Sequence, residues 1–164
     1  MEIITNSSNQ TKKLGEALAK KIKSRKKNKA LVLGLSGDLG GGKTTFLQGF
    51  AKGLGIKKRV LSPTFLIMKK FELNNSTIRQ FSNFYHFDCY RIKKSKEILD
   101  LGFKKITSDP KNIVAVEWAE RIKKIMPRNT IWIKFEFIDE NKRKIRISKL
   151  LQTSFLKNNR GRII

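Results

Sequence analysis

Residues 31–46 read LVLGLSGDLGGGKTTF. The apolar run Ala30–Leu35 leads straight into a glycine-rich turn, Gly37-Asp38-Leu39-Gly40-Gly41-Gly42-Lys43-Thr44. The order is G-x-x-x-x-G-K-[ST], the pattern of a phosphate-binding loop set between a strand and a helix. Glycines let the backbone fold so that successive N–H groups converge on a phosphate. Lys43 brings a cation to the β- and γ-phosphates, and Thr44 offers a hydroxyl to Mg²⁺. A helix beginning near Lys43 adds its free N–H donors and the positive end of its dipole. The stretch Gly37–Thr45 is therefore the candidate nucleotide cradle.

A strand apolar on both faces belongs in the middle of a parallel sheet. The expected fold is α/β: a P-loop NTPase-like three-layer sandwich, its central sheet mostly parallel with antiparallel hairpin additions. Upstream, Met1–Thr5 reads as a short strand, with Ser7, Ser8 and Asn9 offering helix caps. Leu14, Ala17, Leu18 and Ile22 recur at helical spacing and predict a helix over 10–24. Arg25–Lys29 reads as a basic loop. Downstream, a helix over 43–52 should bury Phe46, Leu47 and Phe50 and stop at Gly53 and Gly55.

Further on, Val60–Leu73 reads as a Ser-Pro turn entering a strand, and Asn74-Asn75-Ser76 as a hairpin turn. The aromatics Phe81, Phe84, Tyr85 and Phe87 predict a second strand over 78–88. That hairpin should hang from the parallel sheet and bring its two ends, Ser62–Thr64 and Asp88, near the phosphate site. Ser95–Gly102 reads as a short helix capped by Ser95, Asn112–Val116 as a buried strand, and Ala119–Ile125 as a short helix ended by Pro127. Thr130–Ile138 alternates with Ile131, Ile133, Phe135 and Phe137 on one face. Lys144–Leu150 alternates again and completes an antiparallel hairpin. The expectation is one domain over 1–156 with a loose polar tail over 157–164.

The hydrophobic fraction is 39%, in blocks, which is enough for a core. No run approaches the ~20 apolar residues of a membrane span. The start, MEIITNSSNQ, is neither basic nor apolar and does not read as a signal peptide. One cysteine, Cys89, allows no internal disulfide. Together these predict a cytoplasmic protein with no membrane association. The net charge is +24, from 37 Lys+Arg against 13 Asp+Glu. Alone that points to a polyanionic partner. The lysines are scattered, however, and the chain is rich in Asn and Ile, as AT-rich coding produces. Weak, salt-sensitive contact with RNA is the expected consequence, with no role on DNA.

A P-loop ATPase needs a carboxylate beside Mg²⁺, at the end of a neighbouring strand. Glu117 ends the apolar run Ile113–Val116, where an open α/β sheet faces its ligand. It is the candidate metal partner together with Thr44. Asp88 ends the run through Tyr85-His86-Phe87. It could orient or deprotonate the attacking water, hold Mg²⁺ through a water, or be an ordinary turn aspartate. His86, the lone histidine, reads as a core or sheet-surface residue. Trp118 either shelters the site or packs, and it joins Glu120 among the candidate nucleotide contacts. No zinc spacing, Ser–His–Asp set or dinucleotide G-x-G-x-x-G is present.

The P-loop, then Ser62-Pro63-Thr64-Phe65, Tyr85-His86-Phe87-Asp88-Cys89-Tyr90-Arg91 and Val116-Glu117-Trp118, in that order, resemble the TsaE (YjeE) family. The likeness runs from about Leu14 to Ile147. That family is the bacterial P-loop ATPase of tRNA threonylcarbamoyladenosine (t6A) synthesis. The resemblance implies ATP and Mg²⁺ as cofactors and the TsaB and TsaD components as partners. Those components transfer the threonylcarbamoyl group to tRNA, while ATP binding and hydrolysis here reset the complex between turnovers. It implies that Lys43 contacts the phosphates and that Thr44 and Glu117 hold Mg²⁺. Ser62, Pro63 and Thr64 would form a switch-like segment near the γ-phosphate, and Asp88 would be a functional carboxylate. Ser8, Thr11 and Arg143 would approach the nucleotide. Cys89, where the family more often has an aliphatic residue, and the lysine load depart from the pattern. Two other classes compete. A nucleoside or small-molecule kinase would need an arginine-bearing lid, and residues 88–112 offer only Arg91. A basic RNA-binding protein with a vestigial P-loop would bind RNA regardless of ATP.

Overall fold

Burial decides the strand order. The computed structural model describes residues 1–22, 28–58, 60–62, 66–73 and 80–148. The two runs buried almost throughout, Leu31–Gly37 (β2) and Asn112–Glu117 (β5), lie side by side and parallel. Ile131–Phe137 (β6) flanks β2 on its other side, also parallel, and Asn83–Asp88 (β4) runs parallel along β5. The least buried strands take the outer places. Glu2–Thr5 (β1) and Arg143–Ile147 (β7) extend one edge, and Met68–Glu72 (β3) the other, all antiparallel to their neighbours. The seven-stranded order is β1-β7-β6-β2-β5-β4-β3.

Two cores clothe the sheet. On one face Ser8–Lys21 (α1) and Lys43–Gly53 (α2) cover Leu31, Leu33, Leu35, Phe84, Ile113 and Ile133. On the other, Ser95–Asp100 (α3), Phe103–Ser108 (α4) and the 3-10 helix Ala119–Ile125 cover Val32, Phe87, Val114 and Val116. The three-layer sandwich with a mostly parallel centre and antiparallel additions is thus the observed fold. No helix among the described residues is long and apolar enough to cross a membrane.

Several local expectations need correction. α1 begins at Ser8 with Ser7 as its cap, because the Ser7 hydroxyl accepts the Gln10 N–H. Ala17 is exposed, and Gly15 and Ala19 take the inner face instead. The strand expected after the Ser62-Pro63 turn starts at Met68, and the one expected from residue 78 only at Asn83. Ser95 is the first helical residue rather than the cap; Glu97 accepts the N–H groups of Lys93 and Lys94. Gly102, at φ +79°, turns the chain into α4, a helix that the sequence pattern did not signal. Phe137 leaves the buried face of β6 and is 49% exposed, its ring lying under Arg143. The Asn74-Asn75-Ser76 turn, Pro63, Thr64, most of the 25–29 loop, Leu150 and the 157–164 tail lie outside the described residues.

Glycine sets the spacing of α1 and α2. A Cβ on Gly49 would sit 1.9 Å from the Lys12 carbonyl oxygen, and one on Gly15 2.2 Å from that of Phe46. The helices therefore touch backbone to backbone. Gly49→Ala should lower stability by at least ~1–3 kcal/mol through overpacking. Denaturant unfolding of the variant beside the parent checks this; an unchanged midpoint would refute the close approach.

Candidate functional site

Parallel strands end together. The carboxyl ends of β2, β5 and β4 carry Gly37, Glu117 and Asp88, and Leu35, Glu117 and Asp88 lie in register across the three strands. The chain leaves β2 toward the β3 side of the sheet and leaves β5 for β6 on the opposite side of β2, so the winding reverses between β2 and β5. Ligands of open α/β sheets bind outside the carboxyl ends at such a reversal. A cavity of about 430 Å³ lies there.

The loop after β2 forms its floor. Gly42 caps α2 with φ +95°, a conformation open to glycine and costly for a side chain with a Cβ. A Cβ on Gly40 would meet nothing within 4 Å, so the loop borders open space. Lys43 Nζ donates to the carbonyls of Gly37 (2.6 Å) and Asp38 (2.7 Å) and stands 3.9 Å from the Trp118 ring centroid. Trp118 holds this place with φ +58°, an uncommon conformation for a large side chain. Burial pushes the Lys43 ammonium below the ordinary lysine range; the charges of Glu117, Glu120, Asp38 and Asp88 oppose the shift.

Two carboxylates stand behind the loop, both buried. Thr44 Oγ1 donates to Glu117, 2.8 Å from Oε2 and 3.1 Å from Oε1. Glu117 Oε1 is also 2.9 Å from His86 Nε2. Asp88 accepts the Ser62 hydroxyl on Oδ2 and the Tyr90 N–H, at 2.9 Å, on Oδ1. The hydroxyl and carboxylate of Thr44 and Glu117 are hard oxygen donors. Mg²⁺ takes one or two protein oxygens of this kind beside phosphate and water, so these residues fit it.

The expected residues fall into groups. Ser8, Thr11, Leu39 to Thr45, Asp88, Glu117, Trp118 and Arg143 line the cavity. Gly37 and Asp38 instead lie behind it, their carbonyls bonded to Lys43. Glu120 stands behind the loop too, 3.4 Å from the Gly37 N–H. Arg143 Nε donates to the Gly40 carbonyl at 2.9 Å and so ties the loop to the β6–β7 turn. Thr64 lies outside the described residues. Sequence reasoning missed Tyr90, Glu140 and Asn141, which also line the cavity. Tyr90, two residues past Asp88, packs on Trp118 at 5.0 Å between centroids; the other two sit in the turn just before Arg143.

The Lys43–Trp118 contact gives a pH-dependent signal. A lowered ammonium pKa means that the cation over the indole is lost as pH rises, before 10.5 is reached. With Trp132→Phe, Trp118 is the sole indole of a chain that has two. Its emission should titrate at alkaline pH below that value, and Lys43→Met should remove the titration. Identical profiles with and without Lys43 would disprove the contact.

Comparison with known proteins adds the lineage. The family model "Threonylcarbamoyl adenosine biosynthesis protein TsaE" matches residues 5–145. Proteins named tRNA threonylcarbamoyladenosine biosynthesis protein TsaE are similar over most of the chain. The Rickettsia felis protein is 37% identical over 86% of this chain and 75% of its own length. The Aquifex aeolicus protein is 36% identical over 89% and 94%. The Bacillus subtilis protein is 40% identical over 70% and 66%. The crystal structure of Bacillus subtilis YdiB superposes with a TM-score of 0.66 at 28% identity, covering 94% of this chain and 88% of that one. Matched in sequence over nearly all of its sheet and in fold over most of its length, the chain belongs to the TsaE family of threonylcarbamoyl adenosine biosynthesis proteins.

Proposed function

We propose that this chain is a Mg²⁺-dependent ATPase serving tRNA threonylcarbamoyladenosine synthesis, working on a complex of the TsaB and TsaD components. One observation carries the ATPase reading: Lys43, Thr44, Glu117 and Asp88 converge on one cavity at the N-terminus of α2. The name shared by the relatives supports the pathway.

ATP is the substrate. The loop's N–H groups and the first turn of α2 bind its phosphates. Lys43 exchanges the Gly37 and Asp38 carbonyls for phosphate oxygens, trading neutral acceptors for charged ones. Thr44 and Glu117 hold Mg²⁺, which when bound neutralises charge on the β- and γ-oxygens. Asp88, fixed by Ser62 and the Tyr90 N–H, orients the water that attacks the γ-phosphorus. The bond from that phosphorus to the bridging oxygen breaks, and ADP and phosphate leave. Trp118, Tyr90 and Arg143 border the cavity and limit water around the phosphates. Turnover is slow alone and faster with the partners, because the assembly completes the site. Contact with tRNA is weak or passes through the partners.

The segment between β4 and β5 argues against a kinase. Ile92, Ile98 and Phe103 are buried, so this stretch packs on the sheet as a layer rather than closing over the cavity as a lid.

The test is ATP hydrolysis by the purified chain, alone and with TsaB and TsaD. Stimulation by the partners is expected; a rate indifferent to them would leave the pathway role unsupported. Lys43→Ala should weaken nucleotide binding at least ~10-fold, because it removes a charge-assisted hydrogen bond to phosphate. Glu117→Ala should lose the Mg²⁺-dependent part of affinity. Asp88→Ala should bind as before while turnover falls ~10²–10⁴-fold. Equal loss of binding in the two carboxylate variants would show that their roles are divided wrongly.

A further inference from the structure

Alternation along β4 turns Phe84, His86 and Asp88 to one face of the sheet, and along β5 it turns Ile113, Ala115 and Glu117 to the same face. His86 lies beside Ala115, one alternate position short of Glu117. Its ring is fully buried and packs against Phe84, with centroids 6.5 Å apart and planes 19° from parallel. Its Nε2 is 2.9 Å from Glu117 Oε1. Its Nδ1 meets no hydrogen-bond partner among the described residues. A buried polar atom left without a partner calls for a reason.

We propose that His86 is a positioning residue for the metal carboxylate. It is held as the Nε2–H tautomer and donates to Glu117 Oε1. An ionised carboxylate only accepts, so the shared hydrogen must come from the ring. The two oxygens of Glu117 then differ. Oε1 is held from below by His86, while Oε2 is the nearer acceptor for Thr44 Oγ1. A carboxylate pinned at one oxygen cannot turn freely about its terminal torsion, which is otherwise soft. Thr44 therefore finds a fixed acceptor for its hydroxyl hydrogen and keeps its lone pairs for a cation. Outer ligands of this kind orient the residues that hold a metal. The unmatched Nδ1 is the counterpart: a ring anchored through Nε2 in an apolar layer has nothing to offer its other nitrogen. The role rests on the reading of Thr44 and Glu117 as the Mg²⁺ site.

Two experiments test it. His86 is the only histidine, so long-range ¹H–¹⁵N correlation of the labelled chain shows a single imidazole. Without any nucleotide, Nε2 should carry the proton and Nδ1 should not. A proton on Nδ1, or averaging between tautomers, would overturn the proposal whether or not ATP binds. The second measures affinity for a fluorescent ATP analogue with and without Mg²⁺. His86→Phe, which suits the apolar neighbours, should lose ~10–100-fold in Mg²⁺ affinity, the usual loss for such a partner, and leave Mg²⁺-free binding unchanged. His86→Gln places a donor at the same reach from the backbone and should recover most of that loss. Equal weakening with and without Mg²⁺ in both variants would mark a merely structural histidine and overturn the role. So would unchanged Mg²⁺ dependence in His86→Phe. A parent chain that binds the analogue with no Mg²⁺ dependence would remove the metal site, and the positioning role with it, while the tautomer result stood on its own.

Discussion

The hydrogen bond from Thr44 to Glu117 joins the first turn of α2 to the end of β5. It links two layers of the sandwich at the rim that carries the glycine-rich loop. Both partners depend on the fold behind them. Glu117 is only 2% exposed because β5 is buried on both faces and the chain turns at once into Trp118. Thr44 is placed by Gly42, whose left-handed backbone leads directly into α2. A buried carboxylate is tolerated when its oxygens find donors. Here Thr44 and His86 supply them.

The central layer was legible because it is the simplest in physical terms. A strand buried on both faces must be apolar throughout, as Ala30–Leu35 and Ile113–Val116 are. The strand, glycine-rich turn and helix around Gly37–Thr45 were legible as local structure, and Leu39 to Thr45 line the cavity while Gly37 and Asp38 do not; Glu117 does end a buried strand. The misses share a cause. Phe137 carries the right residue type for the inner face, but the pairing of β6 with β2 ends at Phe135, and Arg143 covers the ring instead. Ala17 fits the apolar spacing of α1, yet the inner face was reserved for glycine, which hydrophobic periodicity does not score. The short helix α4 is held by Phe103 against Phe87, a pairing of residues that only the folded sheet brings together. The bond from His86 to Glu117 likewise depends on the offset between two parallel strands, and no spacing along the chain encodes it.

Charge is arranged locally as well. Several exposed or half-buried acids pair with nearby bases: Glu2 and Glu136 with Arg146, Glu16 with Lys20 and Lys52, Asp100 with Lys96. Exposed pairs of this kind contribute little to stability. The remaining excess of positive charge gives a field that draws polyanions toward the surface. Within that field, Asp38, Asp88, Glu117 and Glu120 gather around Lys43 at the cavity. These carboxylates oppose the burial that lowers the Lys43 ammonium's pKa without reversing it.

The first strand is the feature with the widest reach. Among the described residues β1 pairs only with β7, so residues 2–5 wait for residues 143–147 before they join a sheet. Ser8 and Thr11, which follow β1, and Arg143, which opens β7, line the same cavity. During synthesis on the ribosome, the loop, β4 and β5 can assemble while this wall is still missing. Pairings so far apart along the chain form slowly. The pocket is thus sealed only once β7 has been made, and a chain shorter than that carries the glycine-rich loop without the wall that closes around it.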